Sequence, residues 1–268
     1  MAMANPPRTI GFVLAATEHG TMILNRFDYH RTGNGAYGVG HQLLTNAVYE
    51  PFETAYAVRL LAARRTHFGD GVVAIDCGAN IGVHTLEWAR SMTGWGSVVA
   101  IEAQERIFYA LAGNIALNNC CNARAILAAV AAMDGTMRVP VPDYLAPGSF
   151  GSLELKQADT NEFIGQTIDY RDENLTEIRT IALDTFNLPR LDLIKIDVEG
   201  MELEVLEGAR QTIGRCLPII LVERLKTSQD ALVAALSAYG YRLFHQGLNM
   251  LAIHPTDPSF AQVPVGPG

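Results

Sequence analysis

The sequence predicts an α/β fold in which a mostly parallel β-sheet is covered by helices on both faces. Three observations support this prediction. From residue 71 onward, short apolar runs rich in β-branched residues alternate with stretches of helical pattern. The runs are continuously apolar, as is typical of strands buried on both faces of a parallel sheet. One run ends in a glycine-rich turn that leads directly into a helical stretch, an arrangement that many α/β sheets use to bind a ligand.

The strand and helix patterns follow one another in a regular order. The strand-like segments are 72–76, 98–102, 125–132, 178–183, 191–197, 218–223, 241–245 and 250–253. The helical segments are 56–65, 84–92, 105–118, 201–213 and 228–239. A short turn that contains Gly247 joins the last two strands, so we expect them to form a reversed pair that closes the sheet.

The chain divides into a regular part and two less regular regions. Residues 71–268 carry the alternating pattern and are predicted to form the main domain. Within them, residues 135–177 contain several prolines and glycines and only short extended pieces, so we expect an insertion rather than core. Residues 1–70 are predicted to form an N-terminal extension that lies as a lid against the ligand-binding edge of the sheet.

Composition and charge argue against several classes of protein. The formal net charge is −8 and no basic stripe with interleaved aromatic residues occurs, which disfavours nucleic acid as the main partner. No apolar run approaches the roughly 20 residues that a transmembrane helix needs, and we expect no signal peptide. The four cysteines lack the spacing of zinc ligands, so we expect reduced thiols in a cytoplasmic protein.

The strongest motif is the glycine turn DCGANIG, which follows the strand VVAI. Its GxxxG spacing differs from that of dinucleotide pyrophosphate sites, and Asp76 would repel a phosphate. Asp76 instead suits an ammonium or hydroxyl group, and a ligand with an amino-acid end can also offer its carboxylate to free helix N–H groups. The alternative is an ordinary strand-to-helix turn. The predicted cofactor-binding residues of this segment are Asp76, Gly78, Ala79, Asn80, Gly82, His84 and Thr85.

A second acid, Glu102, ends the next strand, where a carboxylate can accept hydrogen bonds from both hydroxyl groups of a ribose. Two strand-end acids beside a glycine turn describe a pocket for an adenosyl group without phosphate. We therefore expect adenine at the turn after the third strand. There Met133 would stack on the ring, Asp134 would accept from its amino group, and Ala131 would lie beside them. A plain Asp-Gly turn is the alternative.

A third group of acids follows the strand LDLIKID. Asp197 and Glu199 alternate onto one side at the carboxyl end of this strand, and Glu223 ends the strand PIILVE. Asp197 or Glu199 is the predicted base that removes a proton from an acceptor hydroxyl, with Glu223 as a further catalytic candidate. Asp197 with Glu223 can hold a divalent cation such as Mg²⁺. Lys195 lies on the same face as a neutralising partner of Asp197. The alternative is a structural Lys–Asp pair beside a helix-capping Glu199.

Some single residues carry further predictions. Asp197 is predicted to contact the cofactor as well as the acceptor. His245, at the end of a late strand, is another candidate for the catalytic base. The next helix begins with several acids, which suit the first turns of a helix and are predicted to form a solvated face. These acids are Glu202, Glu204 and Glu207.

With these motifs, the chain resembles the FkbM family of class I methyltransferases. The matching pieces are VVAIDCGANIGVHTLEWAR, SVVAIEAQ, the AAVAAMDG turn, IALDTF, LDLIKIDVEGMELEVLEGA and IILVE. The resemblance implies a Rossmann-like fold with a seven-stranded sheet whose last strand is reversed. It also implies S-adenosylmethionine as methyl donor, and a hydroxyl group of a sugar, a glycan or a secondary metabolite as acceptor. Glu53 resembles an acid that precedes the cofactor motif in the family, so it is a further cofactor-site candidate.

Three other functions agree with parts of the pattern. A nicotinamide-dependent oxidoreductase uses a similar sheet, but the glycine spacing and Asp76 disfavour it. A non-catalytic module that binds an adenosyl ligand would not need Asp197 and Glu199 in addition to Asp76 and Glu102. A methyltransferase acting on a nucleic acid or a protein is disfavoured by the acidic balance and by the lack of an NPPY-type motif.

Overall fold

The computed structural model describes residues 8–33 and 35–262. Its strands are β1 (Phe12–Thr17), β2 (Gly20–Asn25), β3 (His30–Thr32), β4 (Gly35–Tyr37), β5 (Val72–Cys77), β6 (Gly96–Glu102), β7 (Ala123–Leu127), β8 (Ala129–Val130), β9 (Gly135–Val139), β10 (Thr176–Ile181), β11 (Leu193–Ile196), β12 (Ile219–Glu223), β13 (Arg242–Gln246) and β14 (Asn249–Ile253). Its α-helices are α1 (Val39–Asn46), α2 (Pro51–Phe68), α3 (Val83–Ser91), α4 (Glu105–Leu117), α5 (Glu202–Gly208), α6 (Arg210–Cys216) and α7 (Gln229–Ser237).

Seven strands form the central sheet, in the spatial order β13-β14-β12-β11-β5-β6-β7. Strands β5, β6, β7, β11 and β12 are parallel to one another, whereas β14 runs antiparallel to both of its neighbours. The predicted mostly parallel seven-stranded sheet with a reversed last strand is therefore confirmed. The strand order changes direction between β5 and β11, and open α/β sheets bind ligands beyond the carboxyl ends of the strands at such a point.

Two hydrophobic clusters cover the two faces of this sheet. Successive residues of β5 point to opposite faces, so Ala74 belongs to the first cluster and Ile75 to the second. Helices α2, α3 and α4 pack on the first face with residues such as Trp88, and α5, α6 and α7 cover the second with residues such as Leu236. Each fully buried aliphatic side chain contributes about 1.5–3 kcal/mol, which explains the continuously apolar strands.

The N-terminal region packs against the first face of the sheet. Strand β2 contributes Leu24 to the first cluster. Asn114 of α4 is fully buried and accepts a hydrogen bond from the backbone N–H of Ile23 at 2.6 Å. Its amide group also donates to the carbonyl oxygen of Ile81 at 2.8 Å, so it links this region to the glycine turn. Within the described residues, none of the helices combines the length and apolar character that a bilayer crossing requires.

The third strand differs from the prediction. The pattern over 125–132 predicts one strand, but β7 ends at Leu127, and the chain then leaves the central sheet as β8. Strand β8 pairs in parallel with β10, which also pairs antiparallel with β9 in a separate three-stranded sheet. The run AILAAVAA contains no glycine or proline, so nothing in the local sequence marks the change of sheet. Residues 135–177, predicted as an insertion, begin in β9 and end in β10.

A buried ionic network lies at the amino end of β11. Arg64 of α2 places Nε 2.9 Å from Asp192 Oδ1 and Nη1 2.6 Å from Asp257 Oδ2. All three side chains are buried. Asp192 also accepts a hydrogen bond from the backbone N–H of Val73 and pairs with Arg190 at 2.8 Å. The network therefore ties α2 and the C-terminal turn to the sheet.

We expect Arg64→Met to lower the free energy of unfolding by about 3 kcal/mol, because Asp257 would remain buried without its cation. Urea unfolding followed by fluorescence measures this change. Arg65→Met is the matched control, since Arg65 pairs with the exposed Asp70 and an exposed pair contributes about 1 kcal/mol or less. Equal losses in the two variants would contradict the importance of the buried network.

Candidate active site

A cavity of about 430 Å³ opens beyond the carboxyl ends of β5, β6, β11 and β12. Its size lies in the range of about 300–1,000 Å³ that is typical of small-molecule sites. The four strand ends deliver Asp76, Glu102, Asp197 and Glu223 to this cavity. Its other walls come from the N-terminal region and from residues 149–162. Acids predicted from separate parts of the sequence thus line one cavity.

The glycine turn lies at the centre of the cavity wall. Gly78 has a φ of +76°, which favours glycine, and a Cβ there would overlap the carbonyl oxygen of Asp197. The backbone N–H of Asp197 in turn donates to the carbonyl oxygen of Cys77 at 3.1 Å. Gly82 has a φ of +93° and lies behind the wall against Leu111. The other predicted residues of this segment that line the cavity are Ala79, Asn80 and His84, and Ile81 and Val83 line it as well.

We expect Gly78→Ala to abolish ligand binding in this cavity, because the added methyl group would displace the backbone that carries Asp197. Gly94→Ala is the control, since Gly94 has a similar φ of +82° but open space around it. That control isolates the strain of a left-handed alanine, about 1–2 kcal/mol. Thermal unfolding and calorimetric titration of both variants provide the comparison. Retained binding in Gly78→Ala would contradict the close approach.

Asp76 has one carboxylate oxygen available to a ligand. The residue is 1 % exposed. Its Oδ2 accepts a hydrogen bond from Thr85 Oγ1 at 2.6 Å, whereas its Oδ1 is buried without a hydrogen-bond partner among the described residues. Thr85 itself does not line the cavity and instead orients Asp76. A buried carboxylate oxygen without a partner is costly, which points to a ligand that donates to it.

Glu102 is the second buried acid of the cavity. Its Oε1 accepts from the backbone N–H of Gln104 at 2.7 Å, and its Oε2 accepts from that of Asn80 at 2.9 Å. Each carboxylate oxygen has a second lone pair, so both can accept one further hydrogen bond. Burial raises the pKa of Glu102 to about 7, although these backbone N–H groups act to lower it.

The residues predicted around adenine lie outside the cavity. After Val130 the backbone turns towards β10, where the N–H of Ala131 donates to the carbonyl oxygen of Ile181. Met133 is 75 % exposed, and Asp134 accepts from the backbone N–H of Ala182 at 2.9 Å. The prediction for these three residues is therefore corrected: the change of sheet at β8 carries them away. In their place, the cavity is lined by Ala128, Ala129 and Val130, and by Leu153 and Leu155.

Glu50 rather than Glu53 lines the cavity at the start of α2. His84 places Nε2 3.4 Å from Glu50 Oε2 and 3.6 Å from Glu53 Oε1. Burial would raise the pKa of Glu50, but His84 and Lys195 outweigh it and lower that pKa. Glu53 accepts a hydrogen bond from Asn249 Nδ2 at 2.5 Å, and burial raises its pKa. Glu53 is thus a neighbour of the cavity wall.

Three carboxylates converge beyond the carboxyl ends of β11 and β12. Asp197, Glu199 and Glu223 place carboxylate oxygens within 4.8 Å of one another. Lys195 Nζ donates to Asp197 Oδ2 at 2.7 Å, and Lys226 Nζ lies 2.7 Å from Glu199 Oε2. Glu223 has no ion pair among the described residues, and burial together with the charge of Asp197 raises its pKa to about 8. The three acids therefore differ in charge environment although they lie side by side.

Comparison with protein families adds a direct observation. A model of the methyltransferase FkbM domain matches residues 76–243, which is more than half of the chain. The chain belongs to the FkbM methyltransferase family. Membership identifies it as a methyltransferase and agrees with the Rossmann-like class I fold of the central sheet.

Two curated methyltransferases and one solved structure show distant similarity to this chain. "Methyltransferase 1" of Beauveria bassiana (strain ARSEF 2860) is 24% identical over 171 residues, which cover 61% of this chain and 68% of that protein. "Methyltransferase sdnD" of Sordaria araneosa is 25% identical over 177 residues, or 58% of this chain and 66% of that protein. The crystal structure of a methyltransferase FkbM from Methylobacillus flagellatus KT matches with a TM-score of 0.46 and 20% identity, over 69% of this chain and 43% of that one. The match thus spans less than half of that bacterial chain.

His245 does not reach the active-site cavity of this FkbM methyltransferase. It is an exposed residue of β13, where it pairs with Met250 of β14. Strand β13 is the edge strand of the sheet, and β14 separates it from β12 and the carboxylates. The prediction of His245 as a base is therefore corrected, because the strand order places His245 and the carboxylates on opposite sides of β14.

Two residues near the carboxylates escaped the sequence patterns. Glu202 was predicted on a solvated helix face, but it is 1 % exposed and accepts from the backbone N–H groups of Val198 and Gly200. It therefore holds the turn that carries Glu199. Lys226 lies in a loop without any motif, and only the folded chain brings its ammonium to Glu199. The sequence offers one signal for the role of Glu202. It is an acid at the start of a helix, three residues after Glu199, which is the spacing at which a helix-start acid reaches back to backbone N–H groups.

Proposed function

We propose that this chain is an S-adenosylmethionine-dependent methyltransferase that methylates a hydroxyl oxygen of a small molecule such as a sugar, a glycan or a secondary metabolite. The observation that carries the proposal is the pair of buried acids, Asp76 and Glu102, on either side of one glycine turn. Asp76 keeps an oxygen without a hydrogen-bond partner among the described residues, and Glu102 keeps acceptor capacity on both oxygens. Membership of the FkbM family favours the same donor.

The residues of the cavity fit this donor. We call the part lined by Asp76, Glu102 and residues 128–130 the adenosyl half. There Glu102 would accept from the ribose hydroxyl groups, and the apolar side chains of residues 128–130 would lie against adenine. Asp76 and Glu50 would face the positively charged end of the ligand. When bound, the donor supplies a methyl group on a positively charged sulfur, which needs no acid to leave.

The remaining part, lined by Tyr37, Glu162, Glu199 and Glu223, we call the acceptor half. Within it, Glu223 is the proposed base. Asp197 and Glu199 each lie 2.7 Å from a lysine ammonium, whereas Glu223 has no ion pair among the described residues. A base is most effective when its pKa lies near the working pH, and the pKa of Glu223 is raised to about 8. The hydroxyl proton would pass to Glu223 Oε2, which is buried without a hydrogen-bond partner among the described residues.

A metal ion is not part of the proposal. Asp197, Glu199 and Glu223 are close enough to share a divalent cation. However, ammonium groups already occupy the positions beside Asp197 and Glu199, and they would repel a cation. Loss of methyl transfer on adding a chelator, with recovery on adding Mg²⁺, would contradict this part of the proposal.

Calorimetry tests the donor. We expect protein stripped of bound ligand to bind S-adenosylmethionine and S-adenosylhomocysteine, and not to bind NADH. NADH is the informative control because the glycine spacing and Asp76 disfavour a pyrophosphate. The proposal is wrong if the folded protein binds neither adenosyl ligand when tested alone and still binds neither in the presence of a panel of sugar acceptors.

A second candidate function is a module that binds an adenosyl ligand without catalysis. Binding alone does not separate it from an enzyme. Incubation with S-adenosylmethionine labelled at the methyl group, across a panel of hydroxyl compounds, does separate them. Glu223 favours the enzyme, because a binding module has no need of a half-buried acid whose pKa is raised to about 8.

A further inference from the structure

Lys226 lies in the loop after β12, and its ammonium meets two segments that are distant in sequence. Its Nζ lies 2.7 Å from Glu199 Oε2, 3.1 Å from Glu162 Oε2 and 3.8 Å from Glu154 Oε1. It also donates to the carbonyl oxygen of Ser152 at 2.8 Å. The side chain is only 12 % exposed, so water competes little for these contacts.

The chain of contacts continues beyond Glu162. Tyr37 donates its hydroxyl proton to Glu162 Oε1 at 2.8 Å, and His30 Nδ1 lies 2.9 Å from the Tyr37 oxygen. The β3–β4 hairpin, residues 152–162 and the turn that carries Glu199 are therefore joined through one ammonium. Lys226 itself does not line the cavity, so it acts through residues that do. These residues are Tyr37, Ser152, Glu162 and Glu199.

The segment that begins at residue 149 has a second attachment, which does not involve Lys226. The backbone N–H of Phe150 donates to Asp28 Oδ1 at 3.0 Å, and its carbonyl oxygen accepts from Gln104 Nε2 at 2.7 Å. The Phe150 ring is fully buried. The start of the segment is thus fastened independently of Lys226. Within residues 152–162, Lys226 supplies the polar contacts to Ser152, Glu154 and Glu162, and Leu153 and Leu155 are buried.

Lys226 also influences the charge of Glu199. Burial raises the pKa of Glu199 well above its usual value, and the charge of Asp197 adds to this, whereas Lys226 opposes both. Without the ammonium, Glu199 would lose its own counter-ion beside Asp197 and Glu223. Its pKa would therefore rise further.

We propose that Lys226 is a positioning residue that holds Glu199 and residues 152–162 against the acceptor half of the cavity and leaves the adenosyl half unchanged. This inference rests on the proposed function, since it takes that half of the cavity as the place of the acceptor. It assigns a role in acceptor binding to a side chain that touches neither reactant.

Three variants test the proposal. Lys226→Met removes the charge at similar length, and Lys226→Arg keeps the charge. Lys156→Met is the control, because Lys156 lies in the same segment but is half-exposed and pairs with Glu204 on the surface. Hydrogen exchange of peptides covering 149–162, binding of S-adenosylhomocysteine, and the KM and pH profile for a hydroxyl acceptor are measured for each.

In Lys226→Met, we expect exchange in 152–162 to accelerate and the acceptor KM to rise, each by about tenfold or more, because charge-assisted hydrogen bonds are lost. Exchange at Phe150 and the Kd of S-adenosylhomocysteine should change by less than about threefold, as should all readings for Lys156→Met. Lys226→Arg should recover most of the acceptor KM. The pH profile of Lys226→Met should also shift, since Glu199 loses its counter-ion.

Unchanged exchange in 152–162 would overturn the proposal, and so would faster exchange with an unchanged acceptor KM and pH profile, which would indicate a purely structural role. Equal effects of Lys156→Met would also overturn it. The exchange measurement needs no ligand. If the unmodified protein fails to bind S-adenosylhomocysteine, the proposed function fails, whereas the contacts of Lys226 are still tested by exchange.

Discussion

Replacing Glu102 by glutamine is expected to weaken S-adenosylmethionine binding by about 100-fold. The reason is that two charge-assisted hydrogen bonds from the ligand to the carboxylate would be partly lost. The carboxylate accepts from the backbone N–H groups of Asn80 and Gln104 and would still accept from both ribose hydroxyl groups. A glutamine amide has one acceptor oxygen, and its NH₂ group would face a backbone N–H. Calorimetric titration measures the change in Kd.

The same carboxylate predicts a pH dependence of binding. Burial raises the pKa of Glu102 to about 7, so the carboxyl is protonated below that pH in the free protein. The ligand favours the ionised form because that form accepts both hydroxyl groups. Affinity should therefore rise as pH increases through about 7, and binding at about pH 6 should release a proton. Titrations in two buffers with different ionisation enthalpies detect this proton.

Glu105→Gln is the matched control for Glu102→Gln. Glu105 begins α4 on the exposed surface, and its carboxylate accepts from the hydroxyl of Tyr109. This variant should bind and release a proton as the unmodified protein does, whereas Glu102→Gln should release none. Affinity that does not change between about pH 6 and about pH 8 would show that Glu102 is not the ligand's partner.

Much of the fold follows from patterns that act over a few residues. The continuously apolar strands and the alternating helices predict the parallel sheet, because strands that helices cover on both faces are apolar throughout. The reversed last strand is equally local, since the turn at Gly247 joins β13 directly to β14. The departure of β8 from the central sheet is different. It depends on the pairing of β8 with β10, which is distant in sequence, and on the hydrogen bond from the N–H of Ala131 to the carbonyl oxygen of Ile181. This pairing places Met133 and Asp134 outside the cavity.

The candidate site divides in the same way. Asp76, Glu102, Asp197 and Glu223 were predicted to lie together because parallel strands end at one edge of the sheet. Lys226 was not predicted, because its contacts depend on where a loop and residues 152–162 fold back over that edge. The acids at the strand ends can therefore be predicted from the sequence, whereas the positions of the loops that line the acceptor half cannot.

Glu223→Gln is expected to lower the rate of methyl transfer by about 10³-fold, because glutamine cannot take up the proton of the acceptor hydroxyl. The Kd of S-adenosylmethionine should change by less than about threefold, since Glu223 lies outside the adenosyl half. The base is active in its ionised form and its pKa is raised to about 8, so the rate for the unmodified protein should rise with pH through about 8. That rise should be absent in Glu223→Gln. Transfer of a labelled methyl group, followed over a range of pH, measures both effects.

Asp197→Asn distinguishes Glu223 from the other acids of the cluster. After burial, the charge of Asp197 is the largest cause of the raised pKa of Glu223. Its removal should therefore shift the rising limb of the pH–rate profile, the part where the rate increases with pH, to lower pH. Glu207→Gln, on the exposed face of α5, should leave the rate and the limb unchanged. A limb that persists in Glu223→Gln would assign the proton to another group. A limb that disappears only in Glu199→Gln would make Glu199 the base, and the ion pair with Lys226 would then have to open before the acceptor loses its proton.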